Sequence, residues 1–81
     1  MKVDYAPRAL GLLYESPTAV QRAFFKQVKL LSDNLRHPSL RAKKYDEARG
    51  VWQGRVNRDW RFYFVINDDT YVILDVMPHP K

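Results

Sequence analysis

The sequence contains no cysteine and only two histidines, His37 and His79. Without cysteine the chain forms neither a disulfide nor a thiolate-ligated zinc site, and two imidazoles make a built-in metal site improbable. No apolar run approaches the roughly 20 residues that a membrane-spanning helix needs. The first five residues also lack the apolar core of a signal peptide. We therefore expect a cytoplasmic protein with no metal, no disulfide and no membrane span.

What the sequence does have is positive charge, concentrated in one stretch. Its 81 residues are 46% hydrophobic and 28% charged, with a net charge of +5, so the chain should fold as a single domain. Residues 36–61 hold eight basic and three acidic residues, which accounts for the whole net charge. The basic ones are Arg36, Arg41, Lys43, Lys44, Arg49, Arg55, Arg58 and Arg61. Such a block indicates a polyanionic partner, nucleic acid first, although a solubilising surface is the alternative.

Two helices are predicted in the first half of the chain. Pro7 suits the first turn of a helix over residues 8–15, whose inward residues would be Leu10, Leu13 and Tyr14. An apolar stripe at steps of three and four predicts a longer helix over residues 18–35. The stripe consists of Val20, Ala23, Phe24, Val28, Leu31 and Leu35. The short connection between the helices predicts an antiparallel helical hairpin.

The second half of the chain changes to the two-residue period of β-strands. Strands are predicted over residues 51–57, 60–67 and 71–77, and two aspartates at positions 68 and 69 mark a turn. Residues 1–5 could add a short strand at the start. The expected fold is α+β, with an N-terminal helical hairpin packed on a three- to four-stranded antiparallel sheet. One domain would span residues 1–81.

The apolar faces of the predicted strands fix their pairing, because a one-residue slip would move every side chain to the other face. In the first hairpin Arg55 then lies opposite Arg61, while Trp52 and Trp60 fall on the buried face. Two arginines opposite each other repel unless an anion lies between them, which favours a phosphate site. An ion pair between Arg61 and Asp75 is the alternative.

The same rule applied to the second hairpin pairs Tyr63 with Asp75 and Phe64 with Leu74. His79 falls on the same outward face as Tyr63 if the chain stays extended, as the flanking prolines favour. The outward face would then combine arginines, a tyrosine, a carboxylate and an imidazole.

The order of these residues matches a known pattern. An aromatic residue, Trp52, is followed three positions later by basic Arg55, and the next strand opens with Trp60 and Arg61. An acidic turn, an apolar strand and a late histidine, His79, complete the pattern. It resembles the sheet of the RelE/ParE toxin superfamily, and the helices and basic loop before it match in order and length. The resemblance implies a RelE-like fold and the toxin of a bacterial or archaeal type II toxin–antitoxin system, bound by a cognate antitoxin.

The resemblance also implies a chemistry. The ribonuclease branch, which includes RelE, YoeB, YafQ and HigB, cuts mRNA in the ribosomal A site by attack of a 2′-hydroxyl on the adjacent phosphate. No metal or other cofactor is needed, and the result is translation inhibition and growth arrest. By position in the pattern, Arg61 is assigned to phosphate stabilisation and Arg55 to its support. His79 is assigned to proton transfer, because an imidazole titrates near neutral pH.

The remaining assignments are to binding and support. RNA or ribosome binding is assigned to Arg41, Lys43, Lys44, Arg49 and Arg58. Possible supporting residues are Tyr63, Asp75 and Glu47, the last being the nearest match to a loop carboxylate that one branch uses as a base. The sequence departs from the pattern in that no tyrosine follows His79, and Glu47 aligns poorly.

Two other functions stay open on the same fold, since fold does not fix function. A ParE-like toxin would inhibit DNA gyrase, and a RelE-like domain without activity would act as a binding module. The basic loop and His79 favour the nuclease. The poorly aligned carboxylate and the absent tyrosine leave room for the gyrase inhibitor.

Overall fold

In a computed structural model that describes residues 1–80, two α-helices pack on a five-stranded sheet. Lys81, the last residue of the expected domain, lies outside the described residues. The elements in chain order are β1 (Lys2–Tyr5), α1 (Pro7–Glu15), α2 (Thr18–Asp33), a 3₁₀-helix (Pro38–Leu40), β2 (Lys43–Asp46), β3 (Val51–Arg55), β4 (Trp60–Asn67) and β5 (Thr70–Pro78). This is the α+β arrangement that the sequence predicts.

The strands lie in the order β1-β5-β4-β3-β2. All neighbours are antiparallel except β1, which runs parallel to β5. The expectation of three to four antiparallel strands is therefore corrected to five strands in a mixed sheet. Strand β2 was not predicted, because its sequence shows no alternation of apolar and polar residues. It lies at the edge of the sheet, and three of its four residues are exposed.

The predicted register of the two hairpins is largely confirmed. Arg55 lies opposite Arg61 across β3 and β4, and Tyr63 lies opposite Asp75 across β4 and β5. These four side chains share the face of the sheet that the helices leave open, because residues two apart on a strand point the same way.

Strand β5 breaks the regular alternation. Phe64 pairs with Ile73 and not with the predicted Leu74, because a bulge lies between the pairs of Tyr63 and Phe64. The extra residue in β5 moves the buried set onto Tyr71, Ile73 and Val76. A bulge of this kind inserts one unpaired residue and shifts every side chain before it to the other face.

The core is built from aromatic rings on both layers. Phe24 of α2 meets Phe62 of β4 edge-on at 5.6 Å between ring centroids, and Phe62 stacks on Phe64 at 5.5 Å. All three are fully buried. Gly54 of β3 lies directly under Phe62, where a Cβ atom would come within 3.0 Å of three ring atoms. The sheet can carry this ring only because β3 has no side chain at that position.

Helix α1 buries a narrower apolar stripe than the sequence predicts. Ala9 and Leu13 are buried, one turn apart, against β5. Leu10 is 37% exposed and Tyr14 is 74% exposed, so their predicted inward orientation is wrong. Among residues 1–80, no helix combines the length and the apolar character needed to cross a bilayer.

Candidate functional site

A cavity of about 330 Å³ lies on the open face of the sheet, and we call it the basic cavity. Its lining residues are Arg41, Lys43, Gln53, Arg55, Arg61 and His79. Four of the six are cationic at neutral pH, one is an imidazole and none is acidic. A concave surface with this composition is suited to an anion, because positive charges at close range have no internal counter-charge there.

Each strand places one part of this cavity. Strands β3 and β4 bring Arg55 and Arg61 together, and β2 places Lys43 opposite Gln53. Arg41 follows the 3₁₀-helix and adopts the left-handed backbone conformation, with φ of 45°. The chain therefore turns sharply there and enters β2 beside β3.

His79 reaches the cavity through the segment after β5. Its backbone N–H donates a hydrogen bond to the carbonyl oxygen of Asp59 at 2.7 Å, in the loop between β3 and β4. The sequence predicted His79 near the arginines only if the chain stayed extended, and this bond holds it there. The imidazole makes no hydrogen bond with residues 1–80 and is available to a ligand.

Arg61 is fixed by the loop that precedes its strand. Its Nη1 donates to the carbonyl oxygens of Asn57 at 2.7 Å and Trp60 at 2.9 Å, and more weakly to that of Arg58 at 3.3 Å. Burial, and after it the positive charge of Arg55, lowers the pKa of Arg61. The guanidinium is thus held rigidly in a place where positive charge is costly, and an anion would relieve that cost.

Arg55 is held differently. Its guanidinium makes no hydrogen bond or ion pair with any residue from 1 to 80, while its carbonyl oxygen accepts a hydrogen bond from Gln27 Nε2 at 2.8 Å. The backbone is therefore fixed and the charged group is left free. Of the two arginines, Arg55 is the better placed to bind a phosphate through both arms of its guanidinium.

Three residues assigned to binding, and Glu47 assigned to support, lie outside the basic cavity. Lys44 points to the opposite face of the sheet, with its Nζ 5.1 Å from the centre of the Trp52 ring. Arg49 pairs with Asp46 at 3.6 Å, and Glu47 is exposed in the turn between β2 and β3. Arg58 is exposed in the loop between β3 and β4, beside the cavity and not in its lining.

The two supporting residues on the open face form a separate group. Asp75 accepts an ion-paired hydrogen bond from Arg8 Nε at 2.6 Å, so the alternative pairing of Arg61 with Asp75 does not form. The ring of Tyr63 packs against that of Tyr45 at 4.8 Å. Burial, with a smaller contribution from Tyr45, raises the pKa of Tyr63. Tyr63 and Asp75 line a neighbouring cavity of about 250 Å³.

Sequence reasoning missed two buried glutamines next to the arginines. Gln53 lines the basic cavity, and Gln27 supports the backbone of Arg55; each is 7% exposed. The sequence did contain an indication of Gln27, because this polar residue interrupts the apolar stripe of α2 between Phe24 and Val28. A polar side chain on a buried face needs hydrogen-bonding partners, and these identify where the helix meets β3. Among residues 1–80, no group of three or more His, Cys, Asp or Glu side chains could hold a metal ion.

No family model matches the sequence, and no curated protein matches it either. Solved structures do. RelE in the archaeal RelE–RelB complex from Pyrococcus horikoshii OT3 is 20% identical, with a TM-score of 0.78 over 95% of this chain and 92% of that chain. The isolated Escherichia coli RelE toxin is 14% identical, with a TM-score of 0.80 over 99% and 85%.

The chain has the fold of the RelE and YoeB toxins. A YoeB/ParE toxin from Agrobacterium tumefaciens, at 9% identity, also matches, with a TM-score of 0.80 over 99% of this chain and all of that one. In the RelE-like fold of this chain, the basic cavity lies on the open face of the sheet. The fold alone leaves the nuclease and the gyrase inhibitor open, so the choice between them depends on this cavity.

Proposed function

We propose that this protein is the toxin of a type II toxin–antitoxin system and cuts mRNA on the ribosome as a metal-independent endoribonuclease. The observation that carries the proposal is the convergence of Arg55, Arg61 and His79 in one cavity, with no carboxylate side chain among the described residues that line it. The similarity to RelE in a complex with RelB supports a cognate antitoxin as the protein partner.

In the proposed reaction the 2′-hydroxyl of the RNA attacks the adjacent phosphorus. The new O2′–P bond forms as the P–O5′ bond breaks, which leaves a 2′,3′-cyclic phosphate and a 5′-hydroxyl. Extra negative charge develops on the phosphate oxygens during the attack. Arg55 and Arg61, opposite each other at the end of the hairpin, offer positive charge to those oxygens. The charge of Arg61 is already held in place, and preorganised charge lowers a barrier of this kind.

Proton transfer is assigned to His79. Its imidazolium form donates a proton to the departing 5′ oxygen, and the segment that carries it is tied to the loop beside Arg61. Glu47, exposed in its turn, lies outside the cavity. The proton of the 2′-hydroxyl is therefore assigned to solvent, to which the cavity is open.

Cleavage of a message during translation tests the proposal. Purified protein is added to a translation reaction, and the message is mapped by primer extension. We expect codon-phased cuts with the wild type, and cutting slower by about 10²-fold or more in both Arg55→Ala and His79→Ala. Arg22→Ala, which removes an exposed arginine of α2 away from the cavity, is the matched control and should cut like the wild type.

Three other results would reject the proposal. An intact message together with inhibited DNA supercoiling by gyrase would identify a ParE-like toxin. An intact message with unaffected gyrase would identify a binding module. Cuts that persist unchanged in Arg55→Ala and His79→Ala would show a nuclease activity that does not belong to this cavity.

A further inference from the structure

A second cavity adjoins the basic cavity, and we call it the flanking cavity. It has a volume of about 420 Å³ and lies between α2, the 3₁₀-helix and the end of β3. Its lining residues are Ala23, Lys26, Gln27, Pro38, Ser39, Arg41, Arg55 and Val56. Arg41 and Arg55 line both cavities, so the two form one continuous surface with two guanidinium groups at their junction.

The chemistry of the flanking cavity fits a nucleotide. Lys26, from the exposed side of α2, adds a third cation to the two shared arginines, and no lining residue is acidic. Three apolar residues, Ala23, Pro38 and Val56, supply a surface for a ribose or a base. Positive charge for the phosphate beside an apolar surface for the ribose or base suits single-stranded nucleic acid.

The floor of the flanking cavity is held in place by Gln27. Its Nε2 donates to the carbonyl oxygens of Ser39 at 3.0 Å and Arg55 at 2.8 Å, and its Oε1 accepts from the Ser39 hydroxyl at 3.4 Å. One buried amide therefore joins α2 to both the 3₁₀-helix and β3. The backbone segments that form the floor are therefore held together before a ligand arrives.

We propose that the flanking cavity is a subsite for the nucleotide next to the one that is cut. Lys26 and Arg41 hold the neighbouring phosphate, while the basic cavity holds the scissile one. The inference rests on the proposed function, because it takes RNA as the substrate. It adds that the protein engages at least two consecutive phosphates, and that part of the binding surface comes from α2, outside the sheet.

Binding of two oligonucleotides tests the subsite. The probes are fluorescein-labelled 2′-O-methyl RNAs, which cannot be cut because the attacking hydroxyl is blocked. One is a dinucleotide with a single phosphate and the other a tetranucleotide with three. Their affinities for the full chain are measured by fluorescence anisotropy over a range of salt concentrations. The variants are Lys26→Ala and, as control, Lys29→Ala, which removes another exposed lysine of α2 that lines neither cavity.

Each phosphate contact on a single strand contributes about 0.7 to the slope of log affinity against log salt. In the wild type and in Lys29→Ala, the tetranucleotide slope should be steeper than the dinucleotide slope by about that amount or more. Lys26→Ala should reduce the tetranucleotide slope by about 0.7 and leave the dinucleotide slope unchanged.

Several results would overturn the subsite. The first is an equal tetranucleotide slope in Lys26→Ala and Lys29→Ala. The second is an equal reduction of the dinucleotide and tetranucleotide slopes in Lys26→Ala. The third is no binding of the tetranucleotide. Binding of an oligoglutamate peptide that depends on Lys26, with RNA binding that does not, would assign the cavity to an acidic protein segment instead. Message cutting in the translation reaction is read separately, so the subsite can fail while the nuclease stands.

Discussion

Arg55 and Arg61 lie opposite each other in the sheet, yet their guanidinium groups make different contacts. Arg61 donates to the carbonyl oxygens of Asn57, in the loop between β3 and β4, and of Trp60, at the start of β4. The guanidinium of Arg55 has no partner among residues 1–80. Loss of Arg61 therefore removes contacts within the protein, and loss of Arg55 removes mainly a repulsive charge. Substitutions at the two positions should therefore distinguish an effect on stability from an effect on ligand binding.

Unfolding in urea checks this difference. Arg61→Ala should lower the free energy of unfolding by about 1 kcal/mol or more, because loop carbonyls lose a charged donor. Arg55→Ala should leave it unchanged or raise it slightly, because like charges are separated. Equal losses in both variants would contradict the assignment of the loop contacts to Arg61 alone.

Tyr63 should make the stability of the fold depend on pH in the alkaline range. Burial raises the pKa of Tyr63 above its ordinary value, so the folded protein keeps the phenol proton after the unfolded chain has begun to lose it near pH 10. The stabilisation is complete below that pH and is lost as the pH rises through the folded value. The free energy of unfolding should therefore fall above about pH 10.

Denaturant unfolding between about pH 8 and pH 11 measures this slope. Burial also raises the pKa of Tyr5, so Tyr63→Phe should reduce the slope without abolishing it. Tyr14→Phe, which alters a tyrosine that is 74% exposed, should keep the slope of the wild type. A wild-type slope in Tyr63→Phe would show that this phenol does not contribute.

At the level of single residues, the site was predictable where an apolar pattern fixed the register. Arg55 and Arg61 were placed together because the tryptophans and phenylalanines of their strands had to share the buried face. Lys44 could not be placed this way, since β2 has no such pattern, and it lies on the opposite face from Lys43. The role of Gln27 depends on contacts between elements far apart in sequence, which no local pattern reveals.

Within the elements, Gly54 of β3 is required by the ring above it. Gly54→Ala should lower the free energy of unfolding by about 1 to 3 kcal/mol, because its Cβ would overlap the fully buried Phe62 ring. Gly11→Ala is the control: nothing lies within 4 Å of its Cβ position, and it should stabilise α1 by about 0.5 to 1 kcal/mol.

Thermal or urea unfolding of both variants measures these effects. Partial recovery of stability in Gly54→Ala combined with Phe62→Leu would identify the ring as the cause. A Gly54→Ala variant as stable as Gly11→Ala would mean that the Phe62 ring can move aside freely.

In β5 the rule that side chains alternate between the two faces of a strand is interrupted. Applied without interruption, it paired Phe64 with Leu74. The bulge in β5 moves the buried positions to Tyr71 and Ile73 instead. Before Asp75, both alternating sets in this strand are apolar, so that part of the pattern does not reveal the extra residue. Strand β4 lacks this ambiguity, and its predicted bounds are confirmed.

For the whole molecule, the positive charge of residues 36–61 should make stability depend on the surrounding anions. Screening weakens repulsion between exposed charges, so the midpoint of thermal unfolding should rise as sodium chloride goes from about 0.05 to about 0.5 M. At equal ionic strength, phosphate should raise it further than chloride, because the lining of the basic cavity is suited to a phosphate and binding to the folded state would stabilise it.

The control for this comparison is Arg55→Ala. This variant keeps the general effect of phosphate on protein solvation but loses one of the cationic side chains that line the basic cavity. The difference between phosphate and chloride should be smaller in this variant than in the wild type. An identical difference in both proteins would show that phosphate acts through the solvent and not through the cavity.

The position of β5 has a consequence for the order of events as the chain is synthesised. Strand β1 is made first, but its partner in the sheet is β5, which follows all the other strands. Until β5 emerges, β1 has nothing to pair with, β4 lacks one neighbour, and His79 does not yet exist beside the arginines. A nascent chain that stalls before β5 therefore has an incomplete basic cavity, which is finished only when the last strand and the residues after it emerge.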